Sequence, residues 1–221
     1  MLKFDTPAPV TAAVDVPAAS VRFIAADRAD TTVEILPADA TKNRDVKAAE
    51  QVRVSCADGV LRISAEPART RILGNSGQVE VTVQLPAGSR VQVTAALAEL
   101  RGVGPLGEVT FEGAHGTVKL DEAAGAHLTV QSGDIHLGRL TGPARISTQK
   151  GDLTVTEATG GAVDLRTEHG DITVGAARGT SATLNAATAW GRIHNALTNT
   201  GAAGLAVTAT TSYGNIAARS L

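Results

Sequence analysis

The sequence predicts an all-β chain folded as a single-chain β-solenoid (β-helix), with parallel rungs of about 17–23 residues stacked along one axis. Three observations carry that reading. First, a phrase of glycine, usually an acid or amide, then an aliphatic recurs. It reads Gly116-Thr117-Val118, Gly133-Asp134-Ile135, Gly151-Asp152-Leu153, Gly170-Asp171-Ile172, Gly191-Arg192-Ile193 and Gly214-Asn215-Ile216. The steps between these glycines are 17, 18, 19, 21 and 23 residues. Self-similarity at such a period marks a stacked repeat. Second, aliphatic residues flank each glycine in pairs spaced by two, which puts both on one face of a strand. Third, aromatic residues make up 2% of the 221 residues while glycine numbers 23, so the core must consist of thin layers of small aliphatic side chains.

The chain reads as one domain over 1–221, with irregular β rungs in 1–90 and regular repeats in 91–221. Val14 and Val16, Val21 and Phe23, then Val33 and Ile35 alternate as strands, punctuated by Pro17 and Pro37, which cannot sit inside a paired ladder. The polar stretch 38–50 reads as a solvated loop, with at most one helical turn at 46–51. Val52 and Val54 run into Ala57-Asp58-Gly59, then Leu61 and Ile63; Asp-Gly between alternating runs signals a tight hairpin turn. A second loop is expected at 66–78, with Pro67 and Gly74, and it has the composition of a mobile segment. Val79, Val81, Val83 and Leu85 then share one face of a strand that ends at Pro86-Ala87-Gly88. Each later repeat has two apolar pairs around its glycine: Leu128 and Val130 with Ile135 and Leu137, Ile146 and Thr148 with Leu153 and Val155, Val163 and Leu165 with Ile172 and Val174. Further glycines at Gly125, Gly142, Gly160 and Gly179 close the copies, so a rung is strand, glycine turn, strand, small-residue turn.

Evenly spaced Gly-Asp-Ile and Gly-Asp-Leu after short β runs, preceded by Val79-Glu80-Val81-Thr82-Val83-Gln84-Leu85-Pro86-Ala87-Gly88, resemble the domain-of-unknown-function family 4097, an adhesin-like group of β-strand repeat proteins. The resemblance covers nearly the whole chain and implies a β-solenoid without implying an activity. Together with the handedness rule for parallel crossovers it implies a right-handed coil. The adhesin label implies a surface protein.

Bulk properties narrow the function classes. A net charge of −2 supplies no global field for nucleic acid or an anionic membrane. The single cysteine, Cys56, allows no internal disulfide and has no neighbouring His or Cys to activate it. Asp5, Pro7 and Pro9 interrupt any apolar signal-peptide core, and no run reaches the ~18 apolar residues of a membrane span. The expectation is a cytoplasmic protein.

Asp134, Asp152 and Asp171 recur at one place in consecutive repeats. They form either a carboxylate ladder for a cation or sugar, or a set of turn residues whose side chains accept backbone N–H groups. The second reading is preferred: Gly133, Asp134, Gly151, Asp152, Gly170 and Asp171 are expected to be a structural turn ladder, because Thr117 and Arg192 fill the same place without an acid. A calcium-binding nonapeptide repeat is excluded by the period, and a hexapeptide acyltransferase helix by the drifting steps. The residue before each repeat glycine is His115, Ser132, Lys150, His169, Trp190 and Tyr213 in turn. Trp190, Tyr213 and His169 are therefore candidates for partner binding or for an end cap. The five histidines form no ligand spacing, no phosphate loop or nucleophile elbow is present, and no helix is expected.

These readings favour a non-enzymatic binding or scaffold module with no metal and no cofactor. It acts through protein contacts at a solenoid end, with either an unknown protein or a second copy, and not on nucleic acid or membrane. The C-terminal repeat, Leu205 to Ile216, is expected to be the uncapped end, with a closed dimer through it the favoured arrangement. The alternatives are a carbohydrate-active β-helix enzyme using Asp152, Asp171, Lys150 and His169, and a self-assembling structural protein.

Overall fold

The computed structural model describes residues 1–65 and 77–221; most of the loop expected at 66–78 therefore lies outside the described residues. Among these, eighteen strands and one helix form a β-solenoid. The regular part begins with two long strands that bend through the rung corners, β8 (Arg90–His115) and β9 (Val118–Ser132). There follow β10 (Ile135–Leu140), β11 (Ala144–Lys150), β12 (Leu153–Ala158), β13 (Gly161–Arg166) and β14 (Ile172–Ala176). The last four are β15 (Ala182–Trp190), β16 (Ile193–Ala196), β17 (Leu205–Tyr213) and β18 (Ile216–Ser220).

Each rung contributes one strand to each of two parallel ladders. One ladder runs after the repeat glycines, pairing Leu100 with Val118, Val118 with Ile135, Ile135 with Leu153 and Leu153 with Ile172. The other runs before them, pairing Phe111 with Leu128, Leu128 with Ile146 and Ile146 with Leu165. These side chains are buried and belong to one continuous core. A rung has too few apolar residues to bury its own face, so stacking is what removes them from water. At about 25 cal/mol per Å² this burial is the main favourable contribution to folding.

Stacking does not follow chain order at the ends. Ile172 pairs with Ile216, and Ile216 pairs with Ile193. Val163 likewise pairs with Val207, and Val207 with Leu184. The last segment of the chain is thus inserted beneath the segment that precedes it. The outermost rung is β15–β16, so the expectation that Leu205 to Ile216 forms the open end is corrected. The N-terminal end shows the mirror arrangement. β2 (Thr11–Asp15) and β3 (Ala18–Ala26) stack on β8, while β6 (Val60–Ala65) and β7 (Val79–Pro86) lie outside them.

Antiparallel strands then cover the N-terminal end. β4 (Asp30–Pro37) pairs with β7, and β1 (Leu2–Asp5) pairs with β4. β5 (Val52–Ala57) pairs with β6 through the Asp58-Gly59 turn, where φ is 51° and 73°, the positive values a tight hairpin requires. Lys3 Nζ reaches Asp30 at 3.1 Å and Arg28 Nε reaches it at 2.8 Å. These partners, Arg28 foremost, lower the Asp30 carboxyl to about 2. Residues 43–51 form a helix, α1 (Asn43–Gln51), where a solvated loop is expected from the sequence. Ala48 and Ala49 pack on the core, and the buried Asp45 accepts the Gln78 N–H at 3.0 Å. A carboxylate in the first turn also suits the helix dipole. The helix ties the segment before β5 to the start of β7, a contact that local polarity does not reveal.

Candidate functional site

The repeat glycines form one edge of the stack, and its geometry begins with why they are glycines. Gly133 and Gly151 have φ of 146° and 145°, which disfavours any side chain. A Cβ on Gly151 would sit 2.6 Å from the carbonyl carbon of Gly133 in the rung below. The turns are therefore in near contact along the axis, and a regular bond pattern joins them. The Gly133 N–H donates to Lys150 O (2.8 Å) and the Ile135 N–H to Asp152 O (2.9 Å). One rung on, the Gly151 N–H donates to His169 O and the Leu153 N–H to Asp171 O, both at 2.9 Å.

The acid ladder completes this pattern. Asp134 Oδ1 accepts the Asp152 N–H at 2.9 Å, and Asp152 Oδ1 accepts the Asp171 N–H at 2.8 Å. Asp171 Oδ1 accepts the Asn215 N–H at 2.7 Å, and Asn215 Oδ1 accepts the Arg192 N–H at 3.1 Å. Each side chain thus binds the backbone of the next rung rather than its own turn. In spatial order the residues run Asp134, Asp152, Asp171, Asn215, Arg192. The ladder ends on the one side chain of the five that has no acceptor.

A threonine column lies just inside this edge; of its members the sequence reading takes in only Thr148, as one of the apolar pair with Ile146. Thr167 Oγ1 donates to Gly151 O (3.0 Å), Thr211 Oγ1 to Gly170 O (3.1 Å) and Thr188 Oγ1 to Gly214 O (3.0 Å). The available signal was a threonine three residues before the glycine at Thr148, Thr167, Thr188 and Thr211.

Outside the edge, the residues before the glycines align in the order Ser132, Lys150, His169, Tyr213, Trp190. The rings of His169 and Tyr213 are stacked, with centroids 4.9 Å apart and planes 4° off parallel. Tyr213 is 52% exposed and Trp190 70% exposed, so neither ring is buried against the end of the solenoid.

The end itself is the outer rung. β15 pairs with β17 and β16 with β18; among the described residues no strand pairs with their other sides. Gly214 N–H donates to Trp190 O and Ile216 N–H to Arg192 O, both at 2.9 Å. By the repeat, the Gly191 and Ile193 N–H groups point the same way along the axis, toward the open side. Ile193 is 47% exposed there. The core tapers toward this rung. One inward column runs Leu165, Ala209, Ala186 and the other Val174, Ala218, Asn195. Asn195 is exposed, its Oδ1 accepting the Leu197 N–H at 3.0 Å, so one inward place of the rung holds a polar group.

A groove of about 620 Å³ on the opposite edge gathers Arg90, Glu108, His127 and Arg145 from successive rungs. Arg145 is 3.9 Å from Asp164 on the neighbouring strand. Asp152 and Asp171 face solvent on the glycine edge, each accepting a backbone N–H. Among the described residues no three His, Cys, Asp or Glu side chains are placed to hold a metal ion.

The family model described as Toastrack DUF4097 matches residues 12–220. No curated protein matches the chain in sequence. Among solved structures, a "putative cell adhesion protein" from Clostridium sporogenes ATCC 15579 aligns with a TM-score of 0.47 at 9% identity, covering 100% of this chain and 98% of that one. A "putative adhesin" from Bacteroides fragilis NCTC 9343 aligns at 0.44 and 13%, covering 98% and 95%. One from Parabacteroides merdae ATCC 43184 aligns at 0.43 and 12%, covering 100% and 95%.

Proposed function

This chain belongs to the Toastrack DUF4097 family, and from that premise we propose that it is a non-enzymatic binding module that engages a protein partner through its C-terminal end. One observation carries the reading: among the described residues no further strand pairs with the outer side of the β15–β16 rung, which lies beside an exposed Trp190 and Ile193. Unpaired edges with apolar neighbours are the sites where another chain adds to a sheet. The opposite end of the same stack is covered by β1, β4, β5 and α1, so the two ends differ in what they offer. The Asp ladder has a structural occupation in every rung and is not assigned a substrate.

The test is site-specific photocrosslinking in the native host. A crosslinker replaces Trp190 in one protein, Leu36 near the covered end in a second, and His127 in the groove in a third. Recovery of one defined protein from the Trp190 position alone supports the reading. Crosslinks confined to Leu36 or His127 would overturn it, as would turnover of an oligosaccharide by the purified chain.

A further inference from the structure

The partner's chemistry can be read from what the outer rung lacks. Within the stack, each rung offers the next a glycine N–H, an aliphatic N–H and, from the acid ladder, a side-chain acceptor. The outer rung keeps the two N–H groups, at Gly191 and Ile193, and replaces the acceptor with Arg192, which is exposed. Residues 172–221 contain Arg178, Arg192 and Arg219 and no Asp or Glu, although the whole chain has 22 acids against 20 Lys and Arg. This end is cationic on a molecule that is net anionic.

We propose that the β15–β16 edge is a docking surface for an extended, acidic segment of a partner protein. The segment adds as a further strand on β16, its carbonyls accepting the Gly191 and Ile193 N–H groups and a carboxylate pairing with Arg192. The register follows from the ladder, in which the residue stacked on Arg192 from below is Asn215, at the acid place of the repeat. Trp190, in register with Tyr213, flanks the incoming backbone. The same charges oppose a second copy docking head to head, because two acid-free arginine-bearing ends would face each other within a Debye length of about 8–10 Å. A strand edge supplies affinity through main-chain bonds, and charge supplies selectivity and approach rate.

This inference rests on the end-binding reading and can fail without it. Trp190 is the only tryptophan, so its emission reports on the rung directly. The probe is a synthetic peptide with the sequence of residues 168–176, Glu-His-Gly-Asp-Ile-Thr-Val-Gly-Ala, which carries this chain's own acid-place pattern. A control peptide has lysine in place of both acids. The acidic peptide is expected to shift the Trp190 emission saturably and to bind about tenfold more tightly than the lysine peptide, with the preference shrinking as salt rises. Arg192→Glu, checked for an unchanged melting temperature, is expected to reverse the preference. Both peptides can be compared on the unsubstituted protein, so the test survives a variant that folds poorly. Equal binding of the two peptides, no saturable binding, or a concentration-dependent dimer that blocks the peptide would each overturn the acidic-strand proposal. A partner crosslinked at position 190 alongside any of these results would leave the end-binding reading standing.

Discussion

Gly151→Ala tests the close approach of neighbouring turns in the stack. The substituted Cβ would lie 2.6 Å from the Gly133 carbonyl carbon, whereas carbon atoms rest at about 3.5–4.0 Å. The two turns would have to part by about 1 Å. That gap stretches the bonds from Gly133 N–H to Lys150 O, from Ile135 N–H to Asp152 O and from Asp152 N–H to Asp134 Oδ1, now 2.8, 2.9 and 2.9 Å, beyond hydrogen-bond range. At about 1 kcal/mol each, with about 1–3 kcal/mol for a side chain at φ 145°, the loss is about 4 kcal/mol or more. Gly179→Ala is the control. Its φ of 77° is also positive, but a Cβ there meets nothing within 4 Å, so it carries only backbone strain of about 1–2 kcal/mol. Both changes restrict the unfolded chain alike, so that effect cancels between them. A difference of about 3 kcal/mol corresponds to a melting temperature about 6–12 °C lower for Gly151→Ala than for Gly179→Ala. Circular dichroism melts of the two purified variants measure it. Melting temperatures within about 2 °C of each other would refute the claim that backbone proximity, rather than φ alone, selects glycine at the turn.

Three further outcomes follow from the same geometry. Leu153→Asp places an unpaired charge at a position 1% exposed between Ile135 and Ile172, and the variant is expected not to fold; a soluble protein with an unchanged melting temperature would contradict the register. Asp152→Asn keeps an acceptor for the Asp171 N–H and is expected to stay within about 1 kcal/mol of the parent in chemical denaturation, whereas Asp152→Ala loses more; calcium or magnesium raising the melting temperature of the parent but not of Asp152→Asn would reassign the ladder to metal binding. Asp30 is held at about 2 in the folded chain by Arg28 and Lys3, below the ordinary carboxylate value, so its contribution is present above the ordinary value and lost as pH falls toward 2. Hydrogen-exchange protection of Leu2–Asp5 relative to the intrinsic rate should therefore fall between about pH 4 and 2, and Asp30→Asn should remove that fall; an unchanged profile in the variant would separate β1 docking from this charge cluster.

The period of the glycine phrase, with aliphatics spaced by two, is sufficient to place Ile135, Leu153 and Ile172 in one buried ladder. It is sufficient because alternation and repeat length are local quantities. The Asp58-Gly59 hairpin is legible for the same reason. Helix α1 is not, since its residues are mostly polar and its anchor is Asp45 accepting an N–H from Gln78, 33 residues away. The threonine column is visible in the sequence as a spacing, but its meaning depends on which carbonyl lies beneath each hydroxyl.

The order of the last two rungs was decided only by the tertiary structure. Both Ile193 and Ile216 fit above Ile172 by pattern, and chain order favours Ile193. Three side chains reverse that order. Asn215 supplies the acceptor that the Arg192 N–H uses, while Arg192 has none to pass on. Asn195 occupies an inward place beside Ala218, its Oδ1 accepting the Leu197 N–H at 3.0 Å, and an interior rung would take the rest of its amide out of water. Burying a polar group unpaired costs about 1–3 kcal/mol, whereas at the end of the stack the same amide faces water. The residues were readable one by one; their order in space was not, because it depends on comparing what each rung would bury and which backbone groups it would leave unpaired.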